Sequence, residues 1–250
     1  MKINAFIPVV FMLCAAHLQA NEPIRKNVAI TKIYAIQHGF DDNDSVDIAA
    51  YGLLSDTCHK IDRNSFKVDH RKKIITVSIT SVVRPQDICL EILTPFLEVI
   101  PVGILNAGIY EVRASNSPTV SSQLEVKPRT SDNRDDYLYA PVDTVEVERV
   151  QQIAGHSHDY LVLKGTYPYM LRGCMRVEEV KISTINKEIL VVQPIVKIME
   201  DINCNPQDVG PYNRFTTSVE IANSIGDHGL VHVRTLNGKA LNKYIDFSQP

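Results

Sequence analysis

GIYEVRASN at residues 108–116 returns as GLVHVRTLN at residues 229–237, so the pattern G-[IL]-x-x-V-R-x-x-N occurs twice in a chain of 250 residues. In each copy the Asn lies between two strand-like runs. Working outward, other landmarks repeat in the same order. Cys58 and Cys89 stand 31 residues apart, and Cys174 and Cys204 stand 30 apart. The run Val28-Ala29-Ile30-Thr31-Lys32-Ile33 opens 30 residues before Cys58, and Val142-Asp143-Thr144-Val145-Glu146-Val147 opens 32 before Cys174. The order of these features predicts a diverged duplication. Four cysteines allow three pairings, and the repeat selects Cys58 with Cys89 and Cys174 with Cys204.

The segments between these landmarks carry strand signals. Lys73 to Thr80 and Thr217 to Ile221 are β-branched and roughly alternating, as expected of strands with one buried face. Leu190 to Met199 is apolar on both parities and predicts a central strand with a bend at Pro194. Pro and Gly fall between such runs, at Arg84-Pro85, Thr94-Pro95, Pro101-Val102-Gly103 and Gly210-Pro211. Asn237-Gly238 is a hairpin signal, because both central positions of a type I′ turn need φ > 0. Asn116-Ser117-Pro118 is its weaker counterpart, and the last strands of the two halves are expected over 120–126 and 241–247.

The expected fold class is therefore all-β: two tandem immunoglobulin-like β-sandwich domains with one disulfide each. The boundaries are a signal peptide over 1–20, domain 1 over 21–127, a linker over 128–136 and domain 2 over 137–250. The signal reading comes from Lys2, an apolar run from Ala5 to Ala16 and the small-residue site Leu18-Gln19-Ala20. That run is shorter than the roughly 20 residues of a spanning helix, so no membrane span is expected in the mature chain, and the location is periplasmic or secreted. The linker KPRTSDNRDD is polar and lacks bulky apolar residues, so it cannot build a core of its own.

Residues 52–113 resemble a domain of secreted bacterial proteins, the tandem immunoglobulin-like β-sandwich type. The carriers are GLLSDTC at 52–58, the strand ITVSI at 75–79, Arg84-Pro85, Cys89, Thr94-Pro95-Phe96, Pro101-Val102-Gly103 and LNAGIYEV at 105–112. The resemblance implies an exported sandwich with its two cysteines paired and brings no catalytic residue. The second half departs from it: Cys174 lacks a preceding Ser-Asp, and Phe215 follows Cys204 by eleven residues where Phe96 follows Cys89 by seven.

Chemistry has few candidates. Asp41, Asn43, Ser45 and Asp47 alternate as ligands do in an EF-hand loop, but Val46 and Gly52 replace the Gly and the bidentate Glu that such a loop needs. A solvated turn is the expected reading. His156 and His158 form an H-x-H pair, a weak metal candidate without a third ligand at a motif spacing. Ser157, His158 and Asp159 are consecutive, so they cannot converge on one reaction centre. No cofactor motif is present, and no enzyme is expected. Seven of ten tyrosines lie from residue 137 onward, and Tyr160, Tyr167, Tyr169 and Arg172 are the candidate binding residues, since such side chains give contact area and polar tips at interfaces. Without the leader, 25 basic residues face 29 acidic ones, which excludes the basic excess of a nucleic-acid binder. The expected function is an exported, non-enzymatic binding protein whose partner is another protein or an envelope component. The alternative is a peptidase or hydrolase inhibitor acting through an exposed loop, with a metal-binding protein or enzyme behind both.

Overall fold

The computed structural model describes residues 24–36, 40–83, 88–151, 157–171, 173–199, 213–221 and 225–246. The expected leader over 1–20, together with His156, Arg172 and Cys204, lies outside these residues. The first half contains β1 (Ile24–Asn27), β2 (Ile30–Ala35), β3 (Val46–Leu54), β4 (His59–Asp69), β5 (Ile74–Val83), β6 (Thr94–Gly103), β7 (Gly108–Ala114) and β8 (Ser121–Val126). The second contains β9 (Val142–Gln151), β10 (Ser157–Thr166), β11 (Met175–Ile185), β12 (Ile189–Ile198), β13 (Arg214–Glu220), β14 (His228–Thr235) and β15 (Lys239–Asp246). The chain is all-β, and among the described residues no helix is long and apolar enough to cross a membrane.

Each half sets a three-stranded sheet against a larger one. In the first half β2-β3-β6 faces β4-β5-β7-β8, and in the second β9-β10-β13 faces β11-β12-β14-β15. The inward parity of β5 supplies Ile75, Val77 and Ile79, and that of β7 supplies Tyr110, Val112 and Ala114. The expected central strand is β12, which lies between β11 and β14. The Asn237-Gly238 turn has both φ values positive, 65° and 66°. Thr235 pairs with Lys239, so one more residue enters the turn than a two-residue type I′ hairpin holds.

One pairing departs from the expected immunoglobulin layout, whose sheets are antiparallel throughout. In each half a pair in the larger sheet is parallel: β5 with β7 over Ile74–Val77, and β12 with β14 over Ile189–Val192. Parallel neighbours need a long crossover, and β6 and β13 provide it by visiting the opposite sheet. The rest of the same edge is filled by chain from before the sandwich begins. On β5 this is β1, paired with Thr80–Val83. On β12 it is the segment just after the linker, where Ala140 N–H donates to Pro194 O at 2.8 Å and Val196 N–H donates to Leu138 O at 2.9 Å.

A second repeated device is a glycine under a phenylalanine. Gly52 on β3 pairs with Phe96 on β6, and Gly165 on β10 pairs with Phe215 on β13. A Cβ on Gly52 would lie 2.4 Å from Ala29 O and 2.6 Å from the Phe96 ring; one on Gly165 would lie 2.1 Å from Pro141 O and 2.6 Å from the Phe215 ring. The two phenylalanines thus hold equivalent places although they stand at different distances from the preceding cysteine.

The halves are packed face to face. On β14, Val231 and Val233 enter the core of the second half, while Leu230 belongs to the core of the first, as do Ile185, Ile189 and Val191. The surface they meet is the outer side of β2 and β3, where Tyr51 stacks on Tyr244 with ring centroids 4.6 Å apart. Lys32 pairs with Glu188 at 2.7 Å on the rim. The linker is pinned to this arrangement: Asn43 Nδ2–H donates to Ser131 O and Asn133 O, and Arg129 N–H donates to Asp42 Oδ1. The loop over 41–47 is not the solvated turn expected of it. Asp41 and Asp44 are buried, because Asp44 receives a hydrogen bond from Arg234 of the second half at 3.0 Å.

Candidate functional site

At one end of the first half, the turn between β3 and β4 is organised by a single carboxylate. Asp56 Oδ1 accepts the N–H groups of Cys58 and His59 at 2.9 and 3.1 Å and His59 Nδ1–H at 2.7 Å, while Ser55 Oγ–H donates to Oδ2 at 3.1 Å. The bond from His59, joined by those from Cys58, Ser55 and the His59 backbone, holds the Asp56 carboxyl below its ordinary range against a smaller opposing desolvation. Ser55, Asp56 and His59 do not form a hydrolytic triad. Both oxygens meet the same ring nitrogen, since Ser55 Oγ also lies 3.3 Å from Nδ1, whereas a serine relay needs the nucleophile on the opposite one. A cleft of about 320 Å³ opens beside the turn, lined by Lys26, Val28, Leu53, Ser55, Asp56 and His59 among others.

This turn anchors an apolar segment. Cys58 is bonded to Cys89, Thr57 N–H donates to Leu90 O at 3.1 Å, and Leu90 N–H donates to Thr57 Oγ1 at 3.0 Å. These three links fix residues 88–93 at the mouth of the crossover from β5 to β6. The side chains so held are open to solvent: Ile88 is 92% exposed, Leu90 and Ile92 56% each, and Leu93 63%. Single exposed aliphatics are ordinary; a run of them on a tethered segment is not. The sulfur atoms of Cys58 and Cys89 lie close to Asp56, but as a disulfide they offer no thiolate to a metal.

Cys174 is also disulfide-bonded, and its expected partner Cys204 falls outside the described residues. Non-reducing peptide mapping is expected to return Cys58–Cys89 and Cys174–Cys204 as the pairs. Each closes a loop of about 30 residues, which stabilises a fold by roughly 3 to 4 kcal/mol on the chain-entropy view. A bridge joining the two halves would remove both the pairing and the duplicated layout.

The tyrosine candidates are spread apart. Tyr160 lies within β10, beside Glu148 and Glu220 on the neighbouring strands, not in a loop. Tyr167 follows the other end of β10, about seven residues and so roughly 23 Å away at strand rise. It is half-buried against Phe215, ring centroids 4.8 Å apart. Tyr169 is 68% exposed in a single 3-10 turn over Tyr169–Leu171. Near the linker, Tyr139 is buried and Tyr137 receives a hydrogen bond from Lys181 Nζ at 3.1 Å. His158 Nδ1 bonds Glu220 on β13, and Asp159 accepts Arg149 Nε–H from β9 at 2.9 Å. The two neighbours therefore serve different strands.

No sequence signal singled out residues 88–93. An apolar run beside a cysteine reads equally well as core, and only the covering elements decide otherwise.

Residues 48–126 match the family described as the ORF11 beta-sandwich domain. That stretch runs from β3 to the end of β8, containing the Cys58–Cys89 bridge and the apolar segment. No curated protein and no solved structure matches the chain. The similarity covers the first half from β3 onward and agrees with a β-sandwich there.

Proposed function

We propose that this chain is an exported, non-enzymatic binding protein of the envelope or the exterior, which docks on a partner protein through the tethered segment 88–93. The observation that carries the reading is the exposure of Ile88, Leu90, Ile92 and Leu93 on a segment held by a disulfide and two hydrogen bonds. Pre-ordering removes part of the entropy that a loose loop loses on binding. Glu91 stands exposed among these aliphatics, so the partner that fits is an apolar protein groove with a cation on its rim. A lipid interior would have to bury that carboxylate. The overall design is two tandem sandwiches, each closed by one disulfide. They share the two-sheet layout of immunoglobulin domains and differ in their parallel pair.

A second reading, inhibition of a peptidase or hydrolase, uses the same segment, because a tethered, irregular and exposed loop is a shape that enters a cleft. The test is a triple variant, Ile88→Ser, Leu90→Ser and Ile92→Ser. Since these side chains face water, its thermal unfolding should match the parent. Binding to whatever envelope protein the parent captures should fall at least thirtyfold, the equivalent of about 2 kcal/mol at a hot spot. Stoichiometric inhibition of a captured hydrolase selects the second reading. Unchanged capture rejects both, and flotation of the parent with lipid vesicles, lost in the variant, replaces the protein partner with a membrane.

A further inference from the structure

Three separate parts of the chain converge on one buried cation where the halves meet. Arg234 of β14 is 1% exposed and donates to Asp44 Oδ1 of the first half at 3.0 Å and to Asp135 Oδ1 of the linker at 2.8 Å. Its guanidinium lies 4.6 Å from the Phe40 ring centroid and 5.3 Å from that of Tyr139. Two residues earlier on the same side of the strand, His232 is fully buried, its ring 5.4 Å from Phe40. His232 Nδ1–H donates to Asn242 Oδ1 at 2.7 Å, and Nε2 has no hydrogen-bond partner among the described residues. The neutral ring leaves one lone pair, on Nε2, without a donor among the described residues. A second proton would sit on Nε2 with no acceptor, next to Arg234 on the same strand face.

We propose that this joint is an acid-sensitive coupling: protonation of His232 parts β14 from Phe40, and the two halves separate while each keeps its own sandwich. Histidine is suited to the role because its ordinary titration lies within the mildly acidic range. Burial, reinforced by Arg234 and opposed by the Asn242 hydrogen bond, lowers the His232 pKa to about 4. The separated form would titrate near 6.5. As pH falls from 6.5 towards 4 the open form takes up a proton that the closed form refuses. The closed form therefore loses about tenfold per pH unit, or about 300-fold across that window.

The carboxylates act in the opposite direction. Burial pushes Asp44 and Asp47 above their ordinary range despite Arg234. In the closed form they gain protons before free carboxylates do, so acid favours closure through them. The other titratable groups on this face include Asp41, whose charge also raises Asp44, and Asp135, Tyr139, Tyr34, Tyr51, Tyr244 and His228, with Lys32 and Glu188 paired at the rim. Because the histidine and the carboxylates act with opposite signs, His232→Asn should convert acid opening into acid tightening.

Small-angle scattering of the full chain from pH 7.5 to 4.5, with far-ultraviolet circular dichroism, is the experiment. The parent should expand below about pH 6 with its strand signal intact, and His232→Asn should stay compact. A parent that stays compact to pH 4.5, a variant that expands alike, or an expansion that coincides with loss of the strand signal would overturn the proposal. If the variant does not fold, nuclear magnetic resonance of the parent's His232 ring decides. Protonation in step with expansion supports the coupling, and protonation in the compact state refutes it.

Discussion

Replacing Arg234 with Met is expected to lower the unfolding free energy by about 3–5 kcal/mol at pH 7, the cost of removing one member of a buried ion pair. The loss comes mostly from what stays behind. Asp44, with its side chain 4% exposed, would keep a charge in the interior with its ion partner gone. Asp135 would lose the same partner but is better hydrated, at 21%. Adding Asp44→Asn to the variant should therefore restore part of the stability, because the buried charge leaves too. Arg113 provides the control: it occupies the same place in the repeated motif but is only partly buried, and Arg113→Met should stay within about 0.5 kcal/mol. Urea unfolding of the four chains measures all of this. Equal effects at 113 and 234 would mean that the joint contributes nothing to stability.

Gly52→Ala and Gly165→Ala should each destabilise the chain by about 3 kcal/mol, the upper end of overpacking costs. Neither glycine is required for an unusual backbone angle; each is required for space. The added methyl would meet a backbone carbonyl, at 2.4 Å in the first half and 2.1 Å in the second. A carbonyl in a strand approach cannot swing aside as a side chain can. Gly165→Ala should be the worse of the two. Combining it with Phe215→Leu should relieve the ring contact and leave the Pro141 clash, so recovery should be incomplete. Thermal unfolding of the single and double variants checks this, and near-neutral alanines would show that the strands shift freely at these points.

The parallel pairs lay outside the expectation for a physical reason. An alternating run such as the one in β5 reports which residues are buried, but not the direction of the neighbour it pairs with. That direction follows from β6 and β13 crossing to the other sheet, a long-range event that leaves no local pattern. The same reason explains Asp41 to Asp47. Four polar residues in a loop read as solvated, yet Asp41 and its neighbour Asp44 are buried, Asp44 against Arg234, some 190 residues away in sequence. Tyrosine content reports contact potential but not position, and the strand rise along β10 keeps Tyr160 and Tyr167 apart.

The sequence by itself determined the all-β class, the strands around Ile74–Val83 and Ile189–Ile198, the Cys58–Cys89 bridge, the positive-φ turn at Asn237-Gly238 and the repeat. These depend on neighbours in the chain or on intervals along it. Tertiary structure alone decided which repeat faces meet. The outer side of β14 carries Leu230, His232 and Arg234 and is buried, whereas the matching positions of β7 carry Ile109, Glu111 and Arg113, with Ile109 62% exposed. Alternation tells inside from outside for one sandwich, but an outer face becomes an inner one when a second sandwich covers it. The same holds for residues 88–93, whose apolar side chains are a surface because, among the described residues, no sheet lies over them.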